Sequence, residues 1–355
     1  MFELFTGKNK SMLGIDISSA AVKLLELSET SQGTYCLEAY GFEPLPEGAV
    51  VESKVQEPEI VGGAIEKALK RSRSGLKKAA IAVSGAAVIT KMIEMNASLS
   101  DNEMESQITV EADQYIPYPL DEVAIDFEVQ SLNPKNPELA DVLLAACRRE
   151  NIEACEEALA IAGLEAQVVD VESFVMERAY GLIEEPLQSD GKEPVVAIID
   201  MGALTTSFYV IDKGHIIYSR EQPFGGQQLT DEIQHHYDME MQEAESAKKS
   251  GQLPEDYESQ VLVPFVESAV QQISRSLQFF YSSSQYSDIG ALLLAGGGSS
   301  IKGLAETLEE QLQIKTTVVN PLSTMKIARK VNKKQLDQDA PALMIACGLA
   351  MRSFD

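Results

Sequence analysis

The stretch that decides the fold is GIDISSAAVKLLEL, residues 14–27. An apolar run ends in a lone aspartate, Asp16, at a Ser-Ser turn, and a second apolar run follows with Lys23 in its middle. Two short apolar runs joined by a tight polar turn predict a β-hairpin. The hairpin alone leaves two interpretations open. Asp16 and Lys23 are either solvent-exposed side chains without a function or part of a turn that binds an anion.

The pattern recurs in the second half of the chain. Residues 195–224, VVAIIDMGALTTSFYVIDKGHIIYSREQPF, predict three consecutive strands, the first of which ends in Asp200. The two aspartates lie roughly half a chain length apart, so the chain resembles two related halves rather than an array of short repeats.

Composition limits the function classes. The chain has 355 residues, 45% hydrophobic and 24% charged, which suffices for at least two lobes. Lys and Arg total 29 against 55 Asp and Glu, a formal charge of -26. We therefore expect no nucleic-acid surface and no general attraction to anionic lipid, and only a local basic spot would reverse this expectation.

Neither targeting segments nor metal motifs stand out. No stretch approaches the roughly 20 apolar residues that span a bilayer, and MFELFTGKNK has too short an apolar part for a signal peptide, so we expect a cytoplasmic protein. The cysteines lack CxxC spacing, which favours reduced thiols in a core, and the histidines lack HExxH spacing, which argues against a transition-metal enzyme. These residues are Cys36, Cys147, Cys155, Cys347, His215, His235 and His236.

Strand-like and helix-like segments alternate along the chain, which predicts an α/β fold. In the first half we expect strands at 34–43 and 79–85 and a helix at 58–72. The second half is predicted to be helical from 227 to 287 and to close with a helix at 340–353 that completes the second lobe. We expect a first lobe (1–89), an inserted α/β subdomain that includes a helix ending at Gly163 (90–165), a connector helix and linker (166–190), a second-lobe core (191–228 and 288–355) and its helical subdomain (229–287).

Two further turns suggest phosphate chemistry. In LLLAGGGSSIKGL, residues 292–304, three glycines between a buried strand and a helix let backbone amides approach an anion, although tight strand-to-helix packing explains them too. In DMGALTTSF, residues 200–208, Asp200 is placed to hold Mg²⁺ through water, but an ordinary Asp-Gly hairpin turn is an equally good interpretation in isolation.

Together, residues 16–23, 200–206 and 294–304 resemble the two phosphate motifs and the adenosine motif of the actin-like ATPase superfamily, in that order. The resemblance implies an actin-like ATPase fold, in which two ribonuclease-H-like lobes enclose ATP and Mg²⁺. It implies that Asp16 and Asp200 face Mg²⁺ and contact it through its bound waters, and that Lys23 reaches phosphate. The other implied cofactor contacts are Ser18, Ser19, Gly202, Thr205, Thr206, Gly296, Gly297, Gly298 and Ser299.

Three more segments resemble the superfamily. VDVESF, 169–174, resembles the segment that carries a polar residue near the attacking water, which implies a catalytic role for Glu172. QEAESAKKSG resembles the helix whose acid and base contact adenosine, here Glu245 and Lys248, although an ordinary surface pair one turn apart is the alternative. APALMIACGLAMR, 340–352, resembles the second inter-lobe connector.

Within the superfamily the resemblance is to the PilM family of type IV pilus assembly. It rests on residues 13–27, 111–129 and 162–180, the second of which lies in an inserted subdomain of the FtsA kind. It implies a cytoplasmic ATP-binding adaptor that receives the N-terminal cytoplasmic tail of a PilN-like inner-membrane protein in a groove between the first lobe and the inserted subdomain. Other pilus inner-membrane components, an assembly motor and self-association are further implied partners.

One departure affects the expected activity. The first phosphate turn of the superfamily usually has glycine two positions after the aspartate, where this chain has Ser18. We therefore expect ATP binding with at most weak hydrolysis. The alternatives are a small-molecule kinase of the same fold, for which no acceptor signature is recognisable, and a polymerising ATPase of the actin or FtsA kind. Because the chain ends soon after the connector helix, we expect no direct membrane insertion.

Overall fold

The structure is a computed structural model that describes residues 11–30, 33–183 and 194–355. The end of the predicted connector and linker, residues 184–190, lies outside the described residues, and so do residues 191–193 and the N-terminal stretch 1–10.

A six-stranded mixed sheet forms the base of the first unit, in the order β10-β6-β1-β2-β3-β16. The predicted hairpin is confirmed, with antiparallel pairing that sets Asp16 opposite Lys23. Helices α1 and α3 cover one face over a core that contains Leu24, Ile65 and Leu159. The elements are β1 (Leu13–Ile17), β2 (Ala21–Glu29), β3 (Tyr35–Pro44), a small hairpin of β4 (Val50–Val51) and β5 (Lys54–Val55), α1 (Pro58–Ser72), β6 (Lys78–Val83), α3 (Arg149–Ile161), β10 (Glu165–Val171) and β16 (Lys326–Ile327).

A three-stranded antiparallel sheet in the order β7-β9-β8 stands apart from the first sheet. Its elements are β7 (Val88–Asn96), α2 (Asp101–Glu111), β8 (Val123–Leu132) and β9 (Leu139–Arg148). Helix α2 begins at a capping box between Ser100 and Glu103. The helix covers the face that carries Ile93, Val142 and Leu144, because these side chains share its core with Met104 and Ile108. The opposite face of the sheet therefore lacks that cover.

Helix α3 packs differently from our expectation for the inserted subdomain. Its Cys155, Ala158 and Leu159 lie in the core of the first sheet, beside residues of α1. The approach is close, since a Cβ at Gly62 of α1 would lie 2.8 Å from the Ala158 carbonyl oxygen. Strand β10 likewise pairs in parallel with β6. The packing thus groups residues 149–171 with the first sheet.

The second unit contains a five-stranded sheet in the order β13-β12-β11-β14-β15. The predicted three consecutive strands are confirmed, and the β12–β13 turn takes positive φ at Lys213 and Gly214. Its helices pack around Phe208, Ile273 and Phe280. The elements are β11 (Val196–Met201), β12 (Thr206–Asp212), β13 (His215–Gln222), α5 (Gly226–Tyr237), α6 (Met241–Ser250), α7 (Val263–Ser283), β14 (Ala291–Ala295), α8 (Leu304–Leu312) and β15 (Thr316–Val318).

The C-terminal helices pack mainly on the first sheet, whereas we expected the last helix to complete the second lobe. They are α9 (Lys333–Asp339) and α10 (Met344–Met351), and they share a core with Leu25, Leu27 and Leu37. The last helix also reaches the second sheet, because its Met344 and Leu349 share a core with Val196 and Leu293. Helix α10 lies against β1, where a Cβ at Gly14 would come within 2.3 Å of the Ala346 carbonyl oxygen. It also touches α4 (Glu172–Tyr180), where a Cβ at Gly348 would come within 2.2 Å of the Val175 carbonyl oxygen.

All four cysteines are free thiols, and Cys147, Cys155 and Cys347 are buried. No helix within the described ranges has the length and apolar character needed to cross a bilayer.

Candidate functional site

The first predicted phosphate turn holds an internal ion pair. Lys23 Nζ donates to Asp16 Oδ2 at 2.8 Å, and both side chains are largely buried. The Ser18 hydroxyl donates to the Ala21 carbonyl at 2.9 Å, which directs it into the turn, and Ser19 is partly buried beside it. The Lys23 ammonium is therefore held at Asp16.

The second turn follows β11. Gly202 N donates to the Thr205 carbonyl at 2.9 Å, which closes a tight turn with Gly202 and Thr205 partly exposed. The Thr206 hydroxyl is buried and donates to the Phe224 carbonyl at 2.6 Å. Thr205 is consequently the threonine of this turn that faces the solvent side, while Thr206 fixes the turn to the segment before α5.

The glycine turn after β14 packs directly on the second turn. Gly296 has φ +81, and a Cβ there would lie 2.5 Å from Asp200 Oδ1 and 2.3 Å from the Met201 carbonyl oxygen. Gly297 is exposed with open space around it, whereas the Ser299 hydroxyl is buried and donates to the Gly296 carbonyl. A 3₁₀ turn, Gly297–Ser300, follows the glycine, and the α-helix begins only at Leu304. The helix N-terminus expected at the glycines is thus a short 3₁₀ turn.

Lys248 reaches the same turns from α6. Its Nζ donates to the Gly226 carbonyl at 3.1 Å and also contacts the Thr230 hydroxyl. Gly226 N donates to the Gly202 carbonyl at 2.9 Å, so α5 begins against the second turn. Glu245 instead pairs with Lys249 at 2.7 Å. The structure therefore brings Lys248 to the site and leaves Glu245 in a helix-surface pair.

Four carboxylates and one lysine determine the electrostatics where the two units meet. Burial, followed by the negative charges of Asp16, Glu221 and Asp200, raises the pKa of Glu172 to about 8, against the attraction of Lys23. Burial also raises the pKa of Asp200 to about 6. The positive charge of Lys23 opposes this rise, and the negative charge of Asp16 adds to it.

For the Lys23 ammonium, burial acts to lower the pKa, but Asp16, Asp200 and Glu172 together raise it above its usual value. The four carboxylates of the site outnumber its one lysine, and this excess of negative charge favours a bound cation.

The donor set fits magnesium better than a transition metal. Within residues 11–30, 33–183 and 194–355, no group of three or more His, Cys, Asp or Glu side chains is arranged to hold an ion. Mg²⁺ needs fewer protein ligands, because it keeps several waters and is usually held by one or two carboxylates together with phosphate oxygens. Asp16 and Asp200 supply such a pair, since the negative charge of Asp16 adds to the rise that burial causes in the pKa of Asp200.

Two residues of this site, Ser84 and Glu221, were not predicted from the sequence. Ser84 Oγ, just after β6, donates to Glu221 Oε2 of β13 at 3.1 Å, so this hydrogen bond joins the two units. Glu221 also contributes to the raised pKa of Glu172. In the sequence, Glu221 is recognisable only as an acid at the end of the third predicted strand of the second half. The spacing of the motifs does not connect it with Glu172.

Comparison with known proteins identifies the family. The family model described as type IV pilus assembly protein PilM matches residues 14–354. The chain belongs to the PilM family. A solved PilM–PilN type IV pilus biogenesis complex has 30% sequence identity with this PilM-family chain and a TM-score of 0.78, covering 97% of this chain and 99% of that one.

More distant relatives agree with the PilM fold. The cell division protein FtsA of Pseudomonas aeruginosa is 24% identical over 345 residues, which cover 85% of this chain and 81% of FtsA. The ethanolamine utilization protein EutJ of Carboxydothermus hydrogenoformans has a TM-score of 0.57 at 17% identity, covering 96% of this chain and 89% of EutJ. The actin-like ATPase fold predicted from the sequence is confirmed.

Proposed function

We propose that this PilM-family protein binds ATP with Mg²⁺ between its two units and presents a peptide groove to the cytoplasmic tail of a PilN-like membrane protein. The observation that carries the nucleotide part is the contact between Gly296 and Asp200. It joins the glycine turn to the second turn, and Lys23 links Asp200 electrostatically to Asp16 of the first turn. Three turns far apart in sequence thus form one site.

Each turn has a distinct task in this proposal. The exposed Gly297 and its neighbours offer backbone amides to the nucleotide, and Gly202 with Thr205 offers an amide and a hydroxyl to phosphate. Asp16 and Asp200 hold Mg²⁺ through its waters. When bound, the metal supplies positive charge that neutralises phosphate oxygens. The Lys248 side chain extends from α6 to the start of α5. Burial lowers the pKa of its ammonium, and the negative charge of Glu245 opposes that lowering.

Weak hydrolysis follows from the first turn and from Glu172. Lys23 must leave or share its 2.8 Å contact with Asp16 before it reaches phosphate. Glu172 would accept a proton from an attacking water only when it is ionised, and with a pKa of about 8 it is largely protonated at neutral pH. Both features favour a protein that holds nucleotide over one that turns it over quickly.

The peptide groove is proposed at the uncovered face of the inserted sheet. Direct pairing across the sheet sets Met92 and Glu128 opposite Leu143 of the central strand, and this row lies on the face that α2 does not cover. Cys147 lies on the same face, near the Asn151 amide of α3 and the charge of Lys54 of β5. The uncovered face therefore continues into the first unit.

The composition of this face suits an extended amphipathic peptide. Met92 is 54% exposed, which is high for a large apolar side chain, and with Leu143 it offers an apolar floor. Acidic side chains surround that floor, namely Glu94, Asp126, Glu128 and Asp141. Peptides with an apolar centre and basic flanks bind such surfaces, with the main chain contributing affinity and alternate side chains contributing specificity. The solved PilM–PilN complex of the family supports a PilN-like ligand.

One titration tests the whole proposal. A labelled peptide copying the cytoplasmic tail of the PilN-like protein is titrated into the purified chain with and without ATP and Mg²⁺. We expect saturable peptide binding and an independent signal for nucleotide binding in the same samples. Crosslinks from the peptide that fall only on the second unit would contradict the groove, and absence of nucleotide binding would contradict the cleft.

A further inference from the structure

Two segments of this acidic chain carry only basic charge. Residues 67–78 contain six lysines and arginines, and residues 326–334 contain five. Neither segment contains an aspartate or a glutamate, although acids outnumber bases by 55 to 29 in the whole chain. A random distribution of so many acids would place several in these stretches, so the local charge has the opposite sign from the net charge of -26.

The fold brings the two segments together. The first forms the end of α1 and the turn into β6, and the second contains β16, which pairs with β3 at the edge of the first sheet. Helix α1 reaches the same strand, since Arg71 Nη1 donates to the Phe42 carbonyl of β3 at 3.1 Å. Lys330 Nζ lies 3.5 Å from the Arg73 carbonyl oxygen, where the segments touch. We call this surface, formed by the exposed cations of both segments, the basic edge.

All eleven basic side chains of the basic edge are exposed. Three of them have carboxylate partners, because Lys70 pairs with Glu66 while Lys67 and Arg71 pair with Glu43. The other eight make no ion pair with any carboxylate of the described residues, and Lys78 bonds only the neutral Gln167. These eight are Arg73, Lys77, Lys78, Lys326, Arg329, Lys330, Lys333 and Lys334.

Protection of a sheet edge does not account for this charge. Lysines on edge strands do discourage pairing with other chains. Strand β16, however, contains only Lys326 and Ile327. Lys78 begins β6, which lies inside the sheet, and the remaining cations lie in α1, α9 and the adjoining turns. Gathering like charges on one surface costs free energy in the isolated protein, which an anionic partner would offset.

We propose that the basic edge binds the anionic phospholipid surface of a bilayer. The net charge does not prevent this, because at physiological ionic strength charges are screened beyond about 8 Å and the nearest charges decide the contact. Each Lys or Arg near an anionic surface adds attraction, and clusters of four to eight suffice for recognition. Neither basic segment contains an aromatic residue, so base stacking with single-stranded nucleic acid has no support here.

Geometry connects the basic edge with the proposed peptide groove, and this step rests on the proposed function. Helix α3 runs between them, because Asn151 near its start contacts Cys147 of the groove face. Just beyond its end, Ala162 lines a shallow cavity of about 420 Å³ together with Lys70, Arg73 and Lys77. A helix of this length spans about 20 Å. A short tail held in the groove would therefore keep the basic edge near the membrane from which the tail emerges.

Flotation with lipid vesicles tests the proposal without peptide or nucleotide. The full chain is mixed with phosphatidylcholine vesicles, with and without phosphatidylglycerol, at low and at physiological salt. We expect binding only with phosphatidylglycerol, weakening as salt rises. In the variant R329Q/K330Q/K333Q/K334Q the partition coefficient should fall about tenfold or more. The control K135Q/R275Q/K302Q/K315Q removes the same charge from scattered exposed positions and should bind like the wild type.

Several outcomes would overturn the proposal. They are equal binding to both vesicle types, equal loss in the control variant, salt-sensitive self-association without vesicles that the edge variant abolishes, or binding to duplex DNA at least as tight as to vesicles. A PilN-like tail peptide bound equally by wild type and edge variant would show that the groove is intact. Failure of lipid binding and failure of the proposed function are therefore separable.

Discussion

Gly296 and Asp200 lie in direct contact, with so little space between them that a Cβ on the glycine would sit 2.5 Å from the aspartate Oδ1. The glycine also has φ +81, a conformation that L side chains rarely adopt. Only glycine satisfies both conditions, so the contact fixes the glycine turn against the carboxylate that we assign to magnesium.

Gly296→Ala should destabilise the protein and abolish nucleotide binding. The added Cβ meets backbone that has no room to move, and the left-handed conformation alone costs on the order of 1–3 kcal/mol. Thermal unfolding and nucleotide titration measure the two effects. Gly297→Ala is the matched control, because its Cβ meets nothing within 4 Å, and it should leave the melting temperature unchanged. Equal melting temperatures for both variants would contradict the contact.

Asp200→Asn should weaken binding of ATP with Mg²⁺ about tenfold or more, since it removes one charged partner of the metal's waters. The fold should not suffer, because burial raises the pKa of Asp200 to about 6 and its ionised form therefore disfavours the folded state at neutral pH. Isothermal titration and chemical denaturation separate the two quantities. Asp337→Asn on the exposed surface of α9 serves as the control. Undiminished affinity in Asp200→Asn would remove this aspartate from the site.

Glu172 should make stability depend on pH. An acid whose pKa is raised in the folded state holds its proton more tightly there than in the unfolded chain, so stability falls as pH rises from about 4.5 toward about 8. The slope from one such proton is at most about 1.4 kcal/mol per pH unit. Glu172→Gln should flatten this decline and gain stability at pH 8. Glu306→Gln, an exposed control on α8, should retain the wild-type decline, and a Glu172→Gln profile that follows it would refute the assignment.

Met92→Glu should weaken binding of a PilN-like tail peptide at least about tenfold, because it places a charge in the proposed apolar floor. Val110→Glu is the matched control. Val110 is 80% exposed on α2, which covers the opposite face of the same sheet. Fluorescence anisotropy with the labelled peptide measures both. Weaker binding in Val110→Glu with normal binding in Met92→Glu would move the groove to the α2 side.

Sequence patterns predicted those parts of the fold that depend only on neighbouring residues, namely strands set by apolar runs and the polar turns between them. The hairpin around Asp16 and the strand that ends at Asp200 follow from apolar runs and polar turns. The placement of α3 was less accessible, because an amphipathic helix shows which face is buried but not against which sheet. The same holds for α10, whose uniformly apolar sequence fits either unit.

Within the site, sequence patterns predicted which turns meet but not how each side chain is used. The hydroxyls of Thr206 and Ser299 donate hydrogen bonds to backbone carbonyls, and Lys23 pairs with Asp16. Such choices depend on three-dimensional neighbours that no motif spacing encodes. The hydrogen bond between Ser84 and Glu221 was inaccessible for the same reason, since it joins residues 137 positions apart.

The glycines that seat α10 have a mechanical consequence. Gly14 and Gly348 let the helix backbone lie directly on β1 and α4. The helix also fills two cores at once, since Met344 packs with strands of the second sheet while Cys347 packs with Leu25 of the first. Because tightly packed interiors resist deformation and transmit strain, we expect α10 to stay fixed on β1 and to act as a pivot between the two sheets. Alanine at either glycine would push the helix off its seat and disturb both cores.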